Sequence, residues 1–368
     1  MRRKVRDNGM YETIASPFNY GGVMLKNRII FAPTTLGLPE EKLLKKYEDI
    51  AAGGCAMIVI GDVPVCHIGK EPKLFDCNGA AYYRKLVGIA HAHDCKVSAQ
   101  LYLSDSFADK ISTGGKPRTV SIDELNGYIQ TLTTMQLDGY ASAFGAAAHR
   151  AAEIGFDAVQ ILGDRMLGSF CSTVFNGRTD RYGGDAENRS RFAVKCVAAV
   201  RKSVPHLPID YKLTVRQEHP HYGNAGVNET ELDVFVSKLE ENGVSSFHVS
   251  LANHSFLGDV IPSSSHPYFR EEGCFLKFCD MVREFTSLPI CAVGGLTSPD
   301  FIEQQLAHGR IQCAAMSRQL IADPAWPNKV IKDGGRNVRR CTRCNTVCIS
   351  GMLKGDGVYC RYNIEKQE

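Results

Sequence analysis

The chain has 368 residues, enough for one large core or two domains. It is 44% hydrophobic and 23% charged with a net charge of +3, ordinary for a globular protein and too little positive charge to mark a nucleic-acid binder. No run of about eighteen apolar residues occurs, so no transmembrane helix is expected, and the basic N-terminus lacks the apolar stretch of a secretory signal.

Apolar runs of strand length alternate with longer amphipathic stretches. The first run, residues 29–33, is followed by a helical stretch at 41–52. Residues 56–60 form the second, ended by Gly61 and Asp62, with a helix at 82–93. The third, 96–101, carries Gln100. A polar excursion at 104–132 is expected to stay outside the core. Helix 137–154 leads to strand 158–162, helix 186–202 to strand 209–214, and helix 229–242 to strand 247–250. Helix 275–285 leads to strand 289–293, helix 299–308 to strand 313–316, and helix 326–332 closes the series. The strands are too apolar for an exposed sheet. Eight such units predict an α/β fold, a (β/α)8 TIM barrel. A doubly wound sheet is the rival, weakened because no Gly-x-Gly-x-x-Gly follows the first strand.

In a barrel of this kind function sits at the C-terminal ends of the strands. Gly294 and Gly295 after the seventh strand, with Ser317 and Arg318 after the eighth, would set free backbone N–H groups and a guanidinium around a phosphate. The expected barrel covers residues 1–335. Residues 336–368 form a separate segment with Cys341, Cys344, Cys348 and Cys360. Three closely spaced thiolates and a fourth from a returning Gly/Lys loop suit a 4Fe–4S cluster; tetrahedral zinc is the alternative. The remaining ten of the fourteen cysteines are scattered singly in a chain too large to be a disulfide scaffold. Reduced thiols, a cytoplasmic setting and an anaerobic or microaerobic host are therefore expected.

Four segments together carry a resemblance: LKNRIIFAPT (25–34), NGRTDRYGGDAENRSRF (176–192), AVGGLTSPDFIEQQLAHG (292–309) and MSRQLIADPAWPNK (316–329). They resemble the Old Yellow Enzyme family of flavin oxidoreductases over about residues 12–364. The cysteine run is similar to that of the 2,4-dienoyl-CoA reductase, 2-enoate reductase and trimethylamine dehydrogenase branch. The resemblance implies an FMN barrel with a 4Fe–4S cluster. Pro33, Thr34 and Thr35 would line the flavin ring, Gly61 would meet it through backbone, and Gln100 would bind its pyrimidine edge. Lys212 stands where the family usually has arginine beside flavin N1, and keeps the charge without the planar fork. Gly294, Gly295, Ser317 and Arg318 match the phosphate site.

Two departures bear on chemistry. The family's histidine pair after the fourth strand and its proton-donating tyrosine are replaced: Leu162 stands for the first histidine and Met166 for the tyrosine. Methionine cannot donate a proton. His254, after the sixth strand, is the expected acid, and Arg165 the expected clamp for an anionic or carbonyl end of the substrate. The branch also continues into an FAD- and NAD(P)H-binding half that this sequence does not contain. A separate FAD/NAD(P)H reductase or another donor protein is therefore an expected partner, beside a small-molecule substrate, and a homo-oligomer is left open. The expected activity is reduction of an activated C=C bond of an enoyl or enoate type. An amine dehydrogenase, or an electron-transfer subunit with a degenerate substrate site, are the alternatives.

Overall fold

The computed structural model describes residues 10–66, 71–104, 121–219, 221–254 and 256–363. Eight parallel strands close into a barrel: β1 (Ile29–Phe31), β2 (Met57–Pro64), β3 (Lys96–Tyr102), β4 (Ala158–Gly163), β5 (Ile209–Arg216), β6 (Ser246–Ser250), β7 (Ile290–Ala292) and β8 (Cys313–Met316). They follow the order β4-β3-β2-β1-β8-β7-β6-β5, and a ladder between β4 and β5 shuts the ring. The expected TIM barrel is the observed one.

Strand periodicity sorts the side chains. Ile29 and Phe31 face the surrounding helices, whereas Ile30 and Ala32 point into the barrel with Met57, Val59 and Ala315. Both faces are buried, so each strand gains by being apolar throughout. An antiparallel hairpin, Phe18–Tyr20 with Val23–Leu25, plugs the N-terminal mouth.

A polar chain runs up the barrel interior from this plug. The Tyr20 hydroxyl donates to Asp210 Oδ1 (2.8 Å), as does Ser246 Oγ (2.8 Å), and Gln160 Nε2 donates to Asp210 Oδ2 (2.6 Å). Gln100 Nε2 in turn donates to Gln160 Oε1 (2.6 Å). The orientation of the Gln100 amide is thereby set from below.

Three local features depart from the sequence reading. The stretch 104–132 is not wholly outside the core: Ile122–Thr131 is a helix with Leu125 and Ile129 fully buried. Ser121 and Glu124 start it with a reciprocal capping box, and its apolar positions are four apart, on one helical face. Residues 105–120 lie outside the described residues. A second helix, Arg165–Cys171, follows β4 directly and is buried from Met166 onward. A third, Val347–Lys354, lies where a Gly/Lys loop was expected and carries Cys348; only its end, at Gly355 with φ 78°, turns as a loop. None of the described helices is long and apolar enough to cross a membrane.

The last described segment, from Arg336, folds back over the C-terminal ends of the strands. Cys341 N–H donates to Gln319 Oε1 (2.9 Å), and Gln319 Nε2 donates to Arg339 O (2.9 Å). Val358 N–H reaches Leu36 O (2.8 Å), and Asn345 Nδ2 reaches Ile261 O (2.6 Å).

Burial pushes the Asp210 carboxyl up to about 6, against the pull of Gln160, Ser246 and Tyr20. The folded protein thus keeps a proton that the unfolded chain releases near pH 3.9. The stability this group contributes is full below about pH 4 and falls by roughly 3 kcal/mol as pH rises through 6. Asp210→Asn should flatten that part of the pH dependence in urea denaturation between about pH 4 and pH 7. A variant curve parallel to the parent's would mean Asp210 is ionised in the fold throughout.

Candidate active site

A cavity of about 310 Å³ opens at the C-terminal ends of the strands. Pro33, Thr34 and Thr35 after β1 line it, with Gln100 from β3 and Lys212 from β5. Gly294 and Gly295 after β7, Ser317 and Arg318 after β8, and Arg165 after β4 complete the set that the structure brings together. Thr34 Oγ1 donates to Ser317 Oγ (2.7 Å), tying the ends of β1 and β8. Gly61 sits against the first of these loops: a Cβ there would come within 2.9 Å of Thr34 N. Gly294 (φ 114°) and Gly295 (φ 69°) adopt left-handed backbone. A Cβ on them would strike the Phe275 ring at 2.6 Å and the Arg343 guanidinium at 2.5 Å. The turn puts both glycines on the cavity wall without side chains to fill it.

The electrostatics of the cavity are uneven. Burial pulls the Lys212 ammonium below its usual value, and Asp164 and Asp62 draw it back up. Lys212 forms no hydrogen bond among the described residues. Ser250 Oγ on the same wall is buried without a hydrogen-bond partner. Arg318 donates to Pro262 O (3.1 Å) and to Asn345 Oδ1, both through Nη1. Its other N–H groups remain for a ligand. Among the described residues six non-glycines have positive φ, and four of them border this site: Asp62 (54°), Arg165 (52°), Arg343 (51°) and Asn345 (56°). Strain of this kind persists where surrounding structure enforces it, commonly at functional sites.

The β4 loop shows what became of the expected acid. Met166 is buried and its N–H bonds Leu103 O (3.4 Å), so it does not line the cavity. His254 does not line it either. Its ring lies edge-on to Phe175 (5.1 Å), with Nε2 3.4 Å from Asp164 Oδ1 and a side chain 8% exposed. Asp164 stands between His254 and the cavity. Burial opposes ionisation of Asp164, yet the His254 contact and the Arg165 charge hold it well below the usual carboxylate range. Asp62 and Ser250, both at strand ends, reach the cavity without having been assigned a role from sequence.

Cys341, Cys344, Cys348 and Cys360 converge on one small void of about 20 Å³ with Arg318, Arg343 and Asn345. Cys341, Cys348, Arg318 and Arg343 also border the larger cavity, so the two spaces share a wall. All fourteen cysteines are unbridged. Among the described residues, the ligand atoms of His221, Asp259 and His266 lie within 4.8 Å of one another, and no three of the four cysteine sulfurs form such a set. The histidine set is internally satisfied: His266 Nδ1 accepts from the Tyr268 and Phe269 N–H groups (3.1 and 2.9 Å), and its Nε2 bonds Asp259 (2.8 Å).

A closed parallel barrel with a cationic, glycine-floored strand-end cavity defines an enzyme built around a phosphate-bearing cofactor. The chain belongs to the NADH:flavin oxidoreductase / NADH oxidase family, whose model matches residues 13–337. It is an oxidoreductase, and FMN is the cofactor that this family brings. The family inferred from the quoted segments is thus the one found. Over 98% of its length the chain is 49% identical to a bilirubin reductase of Clostridium symbiosum, covering 100% of that protein. It is 34% identical over 96% of its length to a bilirubin reductase of Mediterraneibacter gnavus, of which it spans 57%. A histamine dehydrogenase from Rhizobium sp. 4-9 superposes with a TM-score of 0.81 over 96% of this chain and 52% of that one; at 23% identity this shows the fold.

Arg343 donates to the carbonyls of Phe269 (3.5 Å), Arg270 and Glu271 (2.9 Å). It is the main tie from the cysteine segment to that loop. Arg343→Ala removes charge-assisted bonds worth about 1.5–3 kcal/mol each. Limited proteolysis should cut within residues 336–363 about tenfold faster, with the barrel's circular dichroism unchanged. Equal cutting rates would mean that other contacts hold the segment.

Proposed function

We propose that this chain is an FMN- and 4Fe–4S-dependent reductase of a conjugated C=C bond, and that its substrate is bilirubin or a close tetrapyrrole relative. The observation that carries this is the 49% identity over the full length of a bilirubin reductase, together with a cavity that departs from the family's histidine–tyrosine pattern in favour of Asp164 and Arg165. Bilirubin offers propionates and lactam carbonyls beside its methine bridges. An exposed arginine at the cavity wall suits either acceptor.

The residues present fit FMN. Gln100 gives one N–H to Gln160, which leaves its carbonyl and its second N–H for a pyrimidine edge that offers both a donor and an acceptor. Lys212, which makes no hydrogen bond among the described residues, supplies a cation for the side of the ring where negative charge collects. The Gly294–Gly295 turn, Ser317 and the spare Arg318 donors suit a phosphate. Held by these residues, FMN would supply hydride-transfer chemistry. Lys212→Met should lower the flavin midpoint potential by on the order of tens of millivolts. An unshifted potential would remove Lys212 from the ring.

The four cysteines would carry the cluster. A single zinc ion holds its sulfurs roughly 4 Å apart, as bonds of about 2.3 Å in a tetrahedron require. The spacing of the four cysteines and their convergence on one void suit a 4Fe–4S cluster. The shared wall supports electron entry through the cluster to the cavity. A separate donor protein would approach from the Cys344 side. Arg339, Arg340 and Arg361 are exposed on this segment, and charge complementarity would favour an acidic partner.

The test is anaerobic. Protein purified with iron, sulfide and FMN quantified is reduced with dithionite and mixed with bilirubin. Flavin reoxidation should accompany loss of the bilirubin visible band, and Cys344→Ser should lose iron and sulfide while keeping FMN. Stoichiometric zinc would overturn the cluster. A flavin left reduced by bilirubin, but reducible by amines, would instead establish the amine dehydrogenase reading.

A further inference from the structure

We infer that Asp62 is the catalytic acid, the group that protonates the second carbon of the C=C bond. The inference rests on the proposed ene reduction and names the residue that sequence comparison leaves vacant.

The backbone is built to present this side chain. β2 pairs Ile60 with Ala99 and Val63 with Leu101, so three steps on β2 match two on β3. That extra residue is a bulge, which bends a strand and re-aims a side chain. It falls at Gly61 and Asp62. Gly61 lies too close to the Thr34 backbone for any Cβ, and Asp62 takes φ 54°, a conformation aspartate tolerates at a cost of order 1–2 kcal/mol. A one-residue disruption of a barrel strand thus turns a carboxyl onto the cavity wall.

Among the described residues, the two positions from which a proton was expected do not serve. Met166 holds the tyrosine position and carries no proton. His254 is shut behind Asp164. Among the described residues the cavity wall offers two carboxyls, Asp62 and Asp164. Their surroundings push them apart. Asp164 is held ionised by His254 and Arg165. Asp62 is raised, first by the protein crowded around it, although the side chain itself stays open to the cavity; Asp164 adds to that, and Arg165 and Lys212 oppose it. Among the described residues, the buried phenols of Tyr47 and Tyr83 also face it, both held neutral. Two carboxyls separated in this way divide into an acid and a fixed anion.

The step balances. One carbon of the C=C bond takes hydride, two electrons and one hydrogen, from the reduced flavin. The Asp62 O–H bond breaks, and its proton forms the C–H bond at the other carbon. The carboxylate that remains faces the open cavity, where solvent returns the proton.

The experiment uses the reduced holoprotein in anaerobic stopped flow, with bilirubin and with ferricyanide, which takes electrons and no proton. For the parent, bilirubin-driven reoxidation should fall as pH rises through the raised Asp62 value, because the acid must be protonated. Asp62→Asn should slow that reaction by about 10²–10⁴-fold and abolish the pH limb, while ferricyanide still reoxidises the flavin. Asp62→Glu should keep the limb at reduced rate. Carboxyl infrared difference spectra of the parent against Asp62→Asn give the protonation state without turnover. A band titrating in the ordinary carboxylate range, or an Asp62→Asn rate equal to the parent's, overturns the assignment. A parent that ferricyanide reoxidises and bilirubin does not overturns the substrate reading instead, and the infrared titration still decides whether Asp62 is a raised acid.

Discussion

The hydrogen-bonded column along the barrel axis governs much of what lies above it. Tyr20 from the plug, Asp210 on β5, Gln160 on β4 and Gln100 on β3 are joined donor to acceptor across three strands and the hairpin. An apolar barrel centre would have packed as well. What the polar column adds is direction: Gln160 takes one N–H of Gln100, which fixes how that amide stands. His248 extends the chain with its Nδ1 against Gln160 Nε2 (3.2 Å), while its Nε2 is buried without a hydrogen-bond partner among the described residues. Burial and the Lys212 charge keep His248 well below its ordinary range, so it stays neutral and adds no cation beneath the cavity.

Above the column, charge is arranged by strand. β4 and its loop contribute Asp164 and Arg165, β5 contributes Lys212, and the β2 bulge contributes Asp62. The β4–β5 ladder that closes the barrel pairs Leu162 with Lys212, so closure itself fixes how the cation stands to the β4 loop. Gly163 allows this: a Cβ there would come within 2.5 Å of the Lys212 carbonyl and the Tyr211 ring. Small backbone choices therefore set the spacing of the charged groups.

The barrel was legible because its signal is redundant. Eight apolar runs alternating with helices would survive the misreading of any one of them. The polar stretch was misread for the opposite reason: Leu125 and Ile129 are two apolar positions in a hydrophilic decade, and a short amphipathic helix needs no more to dock. Glycines and arginines at strand ends could be assigned because their positions follow from the architecture. His254 could not be placed from sequence, since its approach to the cavity depends on the helix Arg165–Cys171, which puts Asp164 in front of it. Asp62 was visible as a strand-end residue, but a bulge depends on the register with the neighbouring strand, and one strand alone does not carry that information.

Cys341 and Cys348 each face the small void on one side and the large cavity on the other. Two of the proposed cluster ligands thus stand in the partition beside Arg318 and Arg343, and oxygen that destroys a cluster leaves such thiols open to oxidation. A sulfinic or sulfonic acid at either position would add bulk and negative charge to the chamber wall beside Arg318, competing with any phosphate held there. Oxygen damage would then register first as loosened grip on small molecules, with the barrel beneath still folded, and the chain would lose its contents before it lost its shape.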